Sequence, residues 1–316
     1  MKKITELEIH HSLIDYDQNQ KSILTIGTFD GVHFGHQKII KKLVQLAKKQ
    51  NCRSVILTFF PHPQLVLKTD SNIKMLNTID EKTNLLQALH VDAVVIQPFD
   101  KDFSELTPEN FVKQILVDKL NVKKIIIGHD HRFGKNRAAN FDDLITFGKK
   151  YHFEVEQISV EAQNDIAISS TKIRNAILKN DFETAANFLG YAYFFSGKVV
   201  KGNQLGRTIG FSTANIFIEE NYKLIPNTGV YVVQCIVNNA HFFGMMNIGN
   251  RPTVNGKNQT IEVHLFNFDN DIYNQNITVS ILQFLRNEQK FDSVNELKQQ
   301  LAIDKEKALN FIKNNR

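Results

Sequence analysis

Gly27-Thr28-Phe29-Asp30-Gly31-Val32-His33-Phe34-Gly35-His36 follows the apolar run Ile23-Leu24-Thr25-Ile26 and precedes an amphipathic segment. In that segment Ile39, Ile40, Leu43, Val44 and Ala47 recur at helical spacing, with Lys38, Lys41, Lys42, Lys48 and Lys49 mostly off that face. The stretch reads as a buried strand, a glycine-bearing turn and a helix N-terminus. Free backbone N–H groups and the helix dipole favour an anion at such a place. His33 and His36 lie three apart across the turn, so both face one ligand. Each imidazole offers an N–H to a phosphate oxygen, and each can be protonated near neutral pH. No Gly-Lys pair is followed by Ser or Thr, and Gly27, Gly31 and Gly35 are spaced by four. Neither the phosphate-loop nor the GxGxxG pattern is therefore present. A phosphate site here has to be built from histidines and backbone.

Outward from this stretch, strands and helices alternate. Strand-like runs are 23–29, 55–60, 93–96, 124–127 and 153–158, and helical patterns lie at 37–49, 78–89, 108–120 and 141–150. Thr107 caps the third helix, with Pro108 at its first position. Such alternation predicts an α/β domain with a parallel, doubly wound sheet. Ligands bind such sheets at the strand C-termini, near the topological switch point. Two short helices, 171–178 and 181–189, close this half. Past about residue 190 the pattern becomes strand-like runs at 194–201, 229–237, 242–248, 260–266 and 277–285. Asn238-Asn239 suits a tight hairpin between two of them. An antiparallel sheet or β-barrel is expected, followed by a terminal helix over 294–312. The expected domains are 1–188 and 189–316.

The 316 residues are ample for two domains, and 42% hydrophobic content supports real cores. The net charge of +5 raises the question of nucleic acid. The lysines are spread along the chain, tryptophan is absent and no nucleic-acid module is recognised. Anionic small-molecule substrates and solvated surface account for the charge, so no nucleic-acid partner is expected. No apolar run approaches the roughly 18 residues of a membrane span. The first residues carry acids and no apolar stretch, so neither a signal peptide nor a membrane partner is expected. Cys52 and Cys235 lie far apart in apolar runs and read as buried free thiols of a reducing, cytoplasmic compartment. No CxxC or Cys/His cluster suggests zinc. The expected assembly is a monomer or weak homo-oligomer.

Three further stretches of the first half carry chemistry. In Ile168-Ser169-Ser170-Thr171-Lys172-Ile173-Arg174, a hydroxyl caps the next helix, which alone accounts for the hydroxyls. Lys172 and Arg174 then fall in the first turns, where the dipole disfavours cations. Their placement makes sense if they reach an anion such as a triphosphate. Gly128-His129-Asp130-His131-Arg132-Phe133-Gly134-Lys135 directly follows a strand and is rich in ligating side chains. Thr58-Phe59-Phe60-Pro61-His62-Pro63 also follows a strand. Two readings of it stand open: a site containing His62, or two prolines that only end the strand.

Together these stretches resemble the nucleotidyltransferase superfamily that shares the (H/T)xGH and ISSTxxR signatures. More narrowly, they resemble the N-terminal module of bacterial bifunctional riboflavin kinase/FAD synthetases. The matching stretches are GTFDGVHFGH (27–36), TFFPHP (58–63), IGHDHRFGK (127–135) and ISSTKIR (168–174), in the family's order. The resemblance implies a Rossmann-like nucleotidyltransferase domain in which the FMN phosphate attacks the α-phosphorus of ATP, giving FAD and pyrophosphate. Such chemistry needs positioning and charge neutralisation. It implies that Gly27, Phe29, His33 and His36 hold ATP, the two histidines stabilising the leaving pyrophosphate. Ser169, Thr171 and Arg174 would grip the β- and γ-phosphates, and His62 and Asp130 would border the flavin.

In the second half, residues 202–215 join two strands and contain Gly202, Gly206 and Gly210. Glycines permit tight turns and close approach of backbone to a ligand. Thr213 and Asn215 offer oxygen ligands of the kind Mg²⁺ accepts. A plain glycine-rich barrel loop is the competing reading. Thr260 to Phe266 alternates with strand period, which puts Glu262 and His264 on the face opposite Ile261, Val263 and Leu265. Glu262 reads either as a general base for a hydroxyl or as a solvent-face acid.

The set resembles the riboflavin kinase domain, with its GxxxGRxxGFPTAN, NIGxRPT, TxExH and LRxExxF signatures, over about 195–312. That resemblance implies an antiparallel β-barrel with a terminal helix, transferring the γ-phosphoryl of ATP to the ribityl hydroxyl of riboflavin. Gly202 and Gly210 would lie against ATP, Thr213 and Asn215 would hold Mg²⁺ and phosphates, and Glu262 would be the base. Arg286 and Glu288 would border the flavin. Ser212 stands where the family has proline, and Asn274 where a glycine usually follows Tyr273. The expected function is therefore riboflavin to FMN, then FMN to FAD, both with ATP and Mg²⁺. The alternatives are a nucleotidyltransferase of another substrate with a non-catalytic flavin-binding second domain, and a flavin- or RNA-binding regulator that has lost catalysis.

Overall fold

The computed structural model describes residues 6–17, 19–68, 71–128, 131–158, 168–202, 206, 209–253 and 256–315, the side chains of 251–253 and 256–258 excepted. The chain forms two compact units, Met1–Ser169 and Ser170–Arg316.

The first unit holds six parallel strands: β1 (Glu8–His10), β2 (Ser22–Ile26), β3 (Arg53–Phe60), β4 (Ala93–Pro98), β5 (Val122–Ile127) and β6 (Glu154–Gln157). Their order is β1-β4-β3-β2-β5-β6. Its helices are α1 (Phe34–Gln50), α2 (Pro63–Leu67), α3 (Ile79–Ala88), α4 (Lys101–Ser104), α5 (Pro108–Asn110) and α6 (Phe141–Tyr151). Strand periodicity splits the core between the two faces of the sheet. Leu24, Ile26, Leu57 and Ile125 lie in one cluster with Leu116 and Leu144. Ile23, Ile56, Val94 and Ile126 lie in the other with Leu43 and Leu86. Helices thus cover both faces, as the doubly wound reading requires.

Three local details depart from the sequence pattern. The helix expected over 108–120 begins at α5 and widens into a π-helical stretch, Phe111–Val117. The wider turn lets Phe111, Val112, Ile115 and Leu116 all face the core. Strand β1 has only three residues, too few for a readable period. Cys52 is only half-buried, whereas Cys235 is fully buried as expected.

The strand order reverses between β2 and β5. The Gly27–Val32 turn and the loop after Ile127 leave the carboxyl ends of these two strands, where open α/β sheets bind ligands.

The second unit opens with α7 (Ser170–Leu178) and α8 (Phe182–Leu189). All but the last residue of these helices precede the boundary expected at 188/189, and yet they belong to the compact unit of the barrel. Asn227 Nδ2 donates to the Leu178 carbonyl at 2.6 Å, and the Tyr231 ring meets Phe182 edge-on at 5.7 Å. A closed barrel follows, made of β7 (Phe194–Val200), β8 (Ala214–Phe217), β9 (Gly229–Val237), β10 (Ala240–Thr253), β11 (Gly256–Leu265) and β12 (Asn276–Arg286). Its order is β10-β11-β8-β7-β12-β9, and closure removes free sheet edges. The terminal helix is α9 (Val294–Asn314). Strand β8 begins inside the 202–215 connection that the sequence pattern leaves without strand character, since four residues with Asn215 among them show no readable alternation. Asn238 and Asn239 take φ of 49° and 63°, the pair of positive values that a two-residue hairpin turn demands. Asn274 takes φ 64°, so it sustains the turn where the family usually has glycine.

Gly244 sits on β10 where an added Cβ would lie 2.4 Å from the His264 carbonyl oxygen on β11. Gly244→Ala must push these strands apart, and we expect a loss of about 1–3 kcal/mol of stability. The midpoint of urea unfolding followed by circular dichroism measures it.

Candidate active sites

In the first unit the site is a strained turn. Phe29, Gly31 and Val32 have φ of 48°, 83° and 34°. A β-branched valine in that region is an outlier that only over-determined surroundings sustain. The surroundings are visible. Asp30, 2% exposed, accepts from the Leu76 N–H at 2.9 Å and the Asn77 N–H at 3.4 Å. The Thr28 carbonyl accepts from Thr58 Oγ1 at 3.2 Å and from Lys82 Nζ at 2.8 Å. Gln37 Nε2 donates to the Val32 carbonyl at 3.0 Å.

This turn presents both histidines. His33 is the N-cap of α1, and its Nδ1 accepts the His36 N–H at 3.4 Å. A neutral ring that accepts at Nδ1 carries its proton on Nε2, so His33 has an Nε2–H to offer a ligand. The two imidazoles stack with centroids 3.6 Å apart, and the Phe29 ring meets His36 edge-on at 5.1 Å. His36 Nδ1 is buried with no hydrogen-bond partner among the described residues. A Cβ on Gly35 would sit 3.3 Å from the His33 ring, so glycine at that position leaves the ring its place. Phe29 itself turns its ring into the core, leaving its backbone to the site.

Protonation near neutral pH, expected from the residue type, is not what the surroundings favour. Burial lowers His33 to about 4. Burial, then the neighbouring His33 and Lys82, holds His36 well below its ordinary value. Both rings are therefore neutral at pH 7.

His62 caps α2, its Nδ1 accepting the Gln64 N–H at 3.2 Å, and the Phe60–Pro61 peptide before it is cis. It stands at the carboxyl end of β3, so it combines the cap with a place at the ligand edge of the sheet. Asp130 lies outside the described residues. Ser169 ends the first compact unit, while Thr171 and Arg174 lie on α7 in the second. Thr171 is exposed and Arg174 is 9% exposed.

The second unit contains a cavity of about 270 Å³. Glu262, His264, Asn247, Thr213, Arg286 and Glu288 line it, with Met245, Phe211, Leu297 and Leu301 as apolar walls. Register explains the convergence. Glu262 on β11 pairs with Asn247 on β10 and with Asn215 on β8, so the three share one face. Thr213 Oγ1 donates to Glu262 Oε2 at 3.2 Å. Ile261, Val263 and Leu265 are buried on the opposite face, as the alternation requires. An added Cβ on Gly202 would overlap Asn215 at 2.1 Å, so glycine is required for that approach. Gly210 takes φ 83° beside Phe211. An added Cβ on Gly249 would lie 2.4 Å from Glu288 Oε1, so the carboxylate rests close against this glycine. His264 Nδ1 must donate to the Ser212 carbonyl, 2.8 Å away, since a carbonyl only accepts. This bond pins the residue that replaces the family's proline.

Asp304 escaped the sequence reading. It is fully buried and accepts from Arg286 Nη2 at 2.7 Å, from Nε at 3.0 Å and from Gln300 Nε2 at 2.9 Å. The bidentate pair aims the Arg286 guanidinium along the cavity wall. Its signal was present: Leu297, Leu301, Asp304, Ala308 and Ile312 form one helical stripe, and a lone carboxylate in an apolar stripe calls for a partner.

A nucleotide-type parallel sheet with a histidine-bearing first turn, joined to a closed barrel whose wall carries hydroxyl, amide and carboxylate side chains, defines a two-module transferase. Family models describe the same division: an FAD synthetase model matches residues 15–172 and a riboflavin kinase model matches 189–312. The chain belongs to the bifunctional riboflavin kinase/FMN adenylyltransferase family. A member from Buchnera aphidicola subsp. Schizaphis graminum is 42% identical, over 90% of this chain and 92% of its own. One from Bacillus subtilis is 36% identical over 99% of each. A solved structure from Streptococcus pneumoniae, described as a macrolide-efflux protein, superposes with a TM-score of 0.85 at 30% identity, over 96% of this chain and 99% of that one. Among the described residues, no helix of the present chain is long and apolar enough to cross a membrane.

His33 titrates near 6.5 in an unfolded chain and near 4 when folded. The unfolded state therefore binds the extra proton between these values, so stability is whole above pH 6.5 and declines as pH falls toward 4. We expect the urea midpoint of the first unit to drop between pH 6.5 and 5, and His33→Asn to reduce that drop.

Proposed function

We propose that this chain makes FAD from riboflavin in two ATP-dependent steps, one in each unit. The observation that carries the reading is the cavity lined by Thr213, Asn247 and Glu262, with Asn215 paired to Glu262 on the neighbouring strand, present alongside the separate His33–His36 turn. A binding protein without catalysis has no use for a buried-edge carboxylate next to metal-type oxygens. The same feature argues against a non-catalytic second domain.

In the barrel, Glu262 takes the proton of the ribityl hydroxyl as that oxygen attacks the γ-phosphorus of ATP. Thr213 and Asn215 offer oxygen-only donors, which fit Mg²⁺ bound partly through substrate phosphates. When bound, the ion supplies charge neutralisation to those phosphates. Gly202 and Gly210 let backbone approach the nucleotide. Arg286, braced by Asp304, and Glu288 border the isoalloxazine ring.

In the first unit, an FMN phosphate oxygen forms a bond to the α-phosphorus of ATP as the bond from that phosphorus to the bridging oxygen breaks. Pyrophosphate leaves. The His33 Nε2–H and His36 face the departing phosphates, with Gly27 and Phe29 contributing backbone. As the polyanion enters, its charge opposes the effect of burial and favours protonated imidazoles. The family resemblance alone assigns Ser169, Thr171 and Arg174 to the terminal phosphates, and His62 and Asp130 to the flavin. The functional division falls at 188/189, the chain acts as a monomer or weak homo-oligomer, and its place is the cytoplasm.

Substitution separates the two steps. Glu262→Ala is expected to lower FMN formation by about 100-fold or more while FAD formation from supplied FMN persists. His36→Ala is expected to do the reverse. Chromatography of flavin products reads both, and a parallel fall of both activities in either variant contradicts the assignment.

A further inference from the structure

Lys82 belongs to none of the motifs that mark the first unit, yet it lies at their centre. It sits on α3, is 6% exposed, and donates from Nζ to the Thr28 carbonyl at 2.8 Å. That carbonyl belongs to the strained turn that carries His33 and His36. Among the described residues, Lys82 Nζ has no other hydrogen-bond partner and no carboxylate at ion-pair distance. A buried ammonium in that position is costly unless something nearby repays its lost hydration.

The same segment holds the turn at a second point. Leu76 and Asn77, just before α3, donate their N–H groups to Asp30. The Thr78–Glu81 capping box then fixes the first turn of α3, with Glu81 Oε2 bound to the Thr78 N–H at 2.9 Å. Lys82 follows directly. One rigid element therefore clamps the strained turn at Thr28 and at Asp30, on either side of Phe29.

We propose that Lys82 is a positioning residue for adenylyl transfer, holding the Thr28–Val32 turn in its strained form and placing a buried positive charge beneath the phosphates of ATP. This rests on reading the Gly27–His36 turn as the ATP site. The charge reaches the site through its neighbours. Asp30 faces Lys82 from the turn, His36 faces it from α1, Thr58 from β3 is uncharged, and Glu81 on its own helix is engaged in the cap. Burial lowers the ammonium to about 8, with Asp30 opposing that fall, so it stays largely charged at neutral pH and loses its proton above about pH 8 when the site is empty. A polyphosphate favours the charged form, and Lys82 in turn favours the polyphosphate.

The test uses the full chain with Lys82→Met and Lys82→Arg, and riboflavin phosphorylation in the same protein as the folding control. Lys82→Met is expected to lower FAD formation from FMN by about 100-fold, with FMN formation from riboflavin within twofold of the unsubstituted protein. Lys82→Arg is expected to recover most of the loss. The ratio kcat/KM for ATP in adenylylation should decline above about pH 8 in the unsubstituted protein and hold to higher pH in Lys82→Arg, because guanidinium stays charged. An adenylylation rate within twofold in Lys82→Met overturns the proposal. So does an alkaline decline at the same pH in Lys82→Arg, or a parallel loss of both activities in both variants. His36→Ala distinguishes the underlying reading: if it abolishes adenylylation while Lys82→Met does not, the ATP site stands and only the role of Lys82 falls.

Discussion

The first unit depends on a turn that its own residues would not choose. Phe29 and Val32 are held at positive φ, where L side chains crowd the backbone. The cost is offset by hydrogen bonds to Asp30 and to the Thr28 carbonyl, and by burial of Phe29 and Val32 in the core. What the strain achieves is placement. The turn brings His33 to the cap of α1 and stacks it on His36 at the edge where the strand order reverses. The first α-helix, the two core layers and the segment before α3 all serve that one geometry.

Neutral, buried imidazoles suit an enzyme that handles a polyanion. A site already filled with fixed positive charge would be expensive to desolvate. On the proposed reading, neutral donors near one buried ammonium gain positive charge only as a polyanion enters, so the empty site avoids the cost of several buried cations. The barrel solves a related problem by other means. There, strand register sets Asn215, Asn247 and Glu262 on one face, and the α9 stripe closes the cavity through Leu297 and Leu301. Asp304 uses the same helix to brace Arg286.

Much of this was readable from residues alone. The strand–turn–helix around His33, the Asn238-Asn239 hairpin and the Glu262/His264 alternation are local, and local chemistry decides them. Other features depend on distant partners. Lys82 looks like any helical lysine until α3 is packed against the turn at Thr28, 54 residues away in sequence. The low pKa values of the histidines come from burial, which no motif displays. Strand β8 is only four residues long, and only its pairing with β11 and β7 makes it a strand. The grouping of α7 and α8 with the barrel is equally a matter of packing at Tyr231 and Asn227.

The central claim is that one chain carries two separate ATP-dependent sites acting in sequence. A time course of flavin species tests it most directly, with the purified chain given riboflavin, ATP and Mg²⁺ and the products resolved by chromatography. FMN is predicted to appear first and then give way to FAD, with one pyrophosphate released for each FAD. Formation of neither flavin nucleotide, or of FMN with no FAD however long the incubation, would contradict the account.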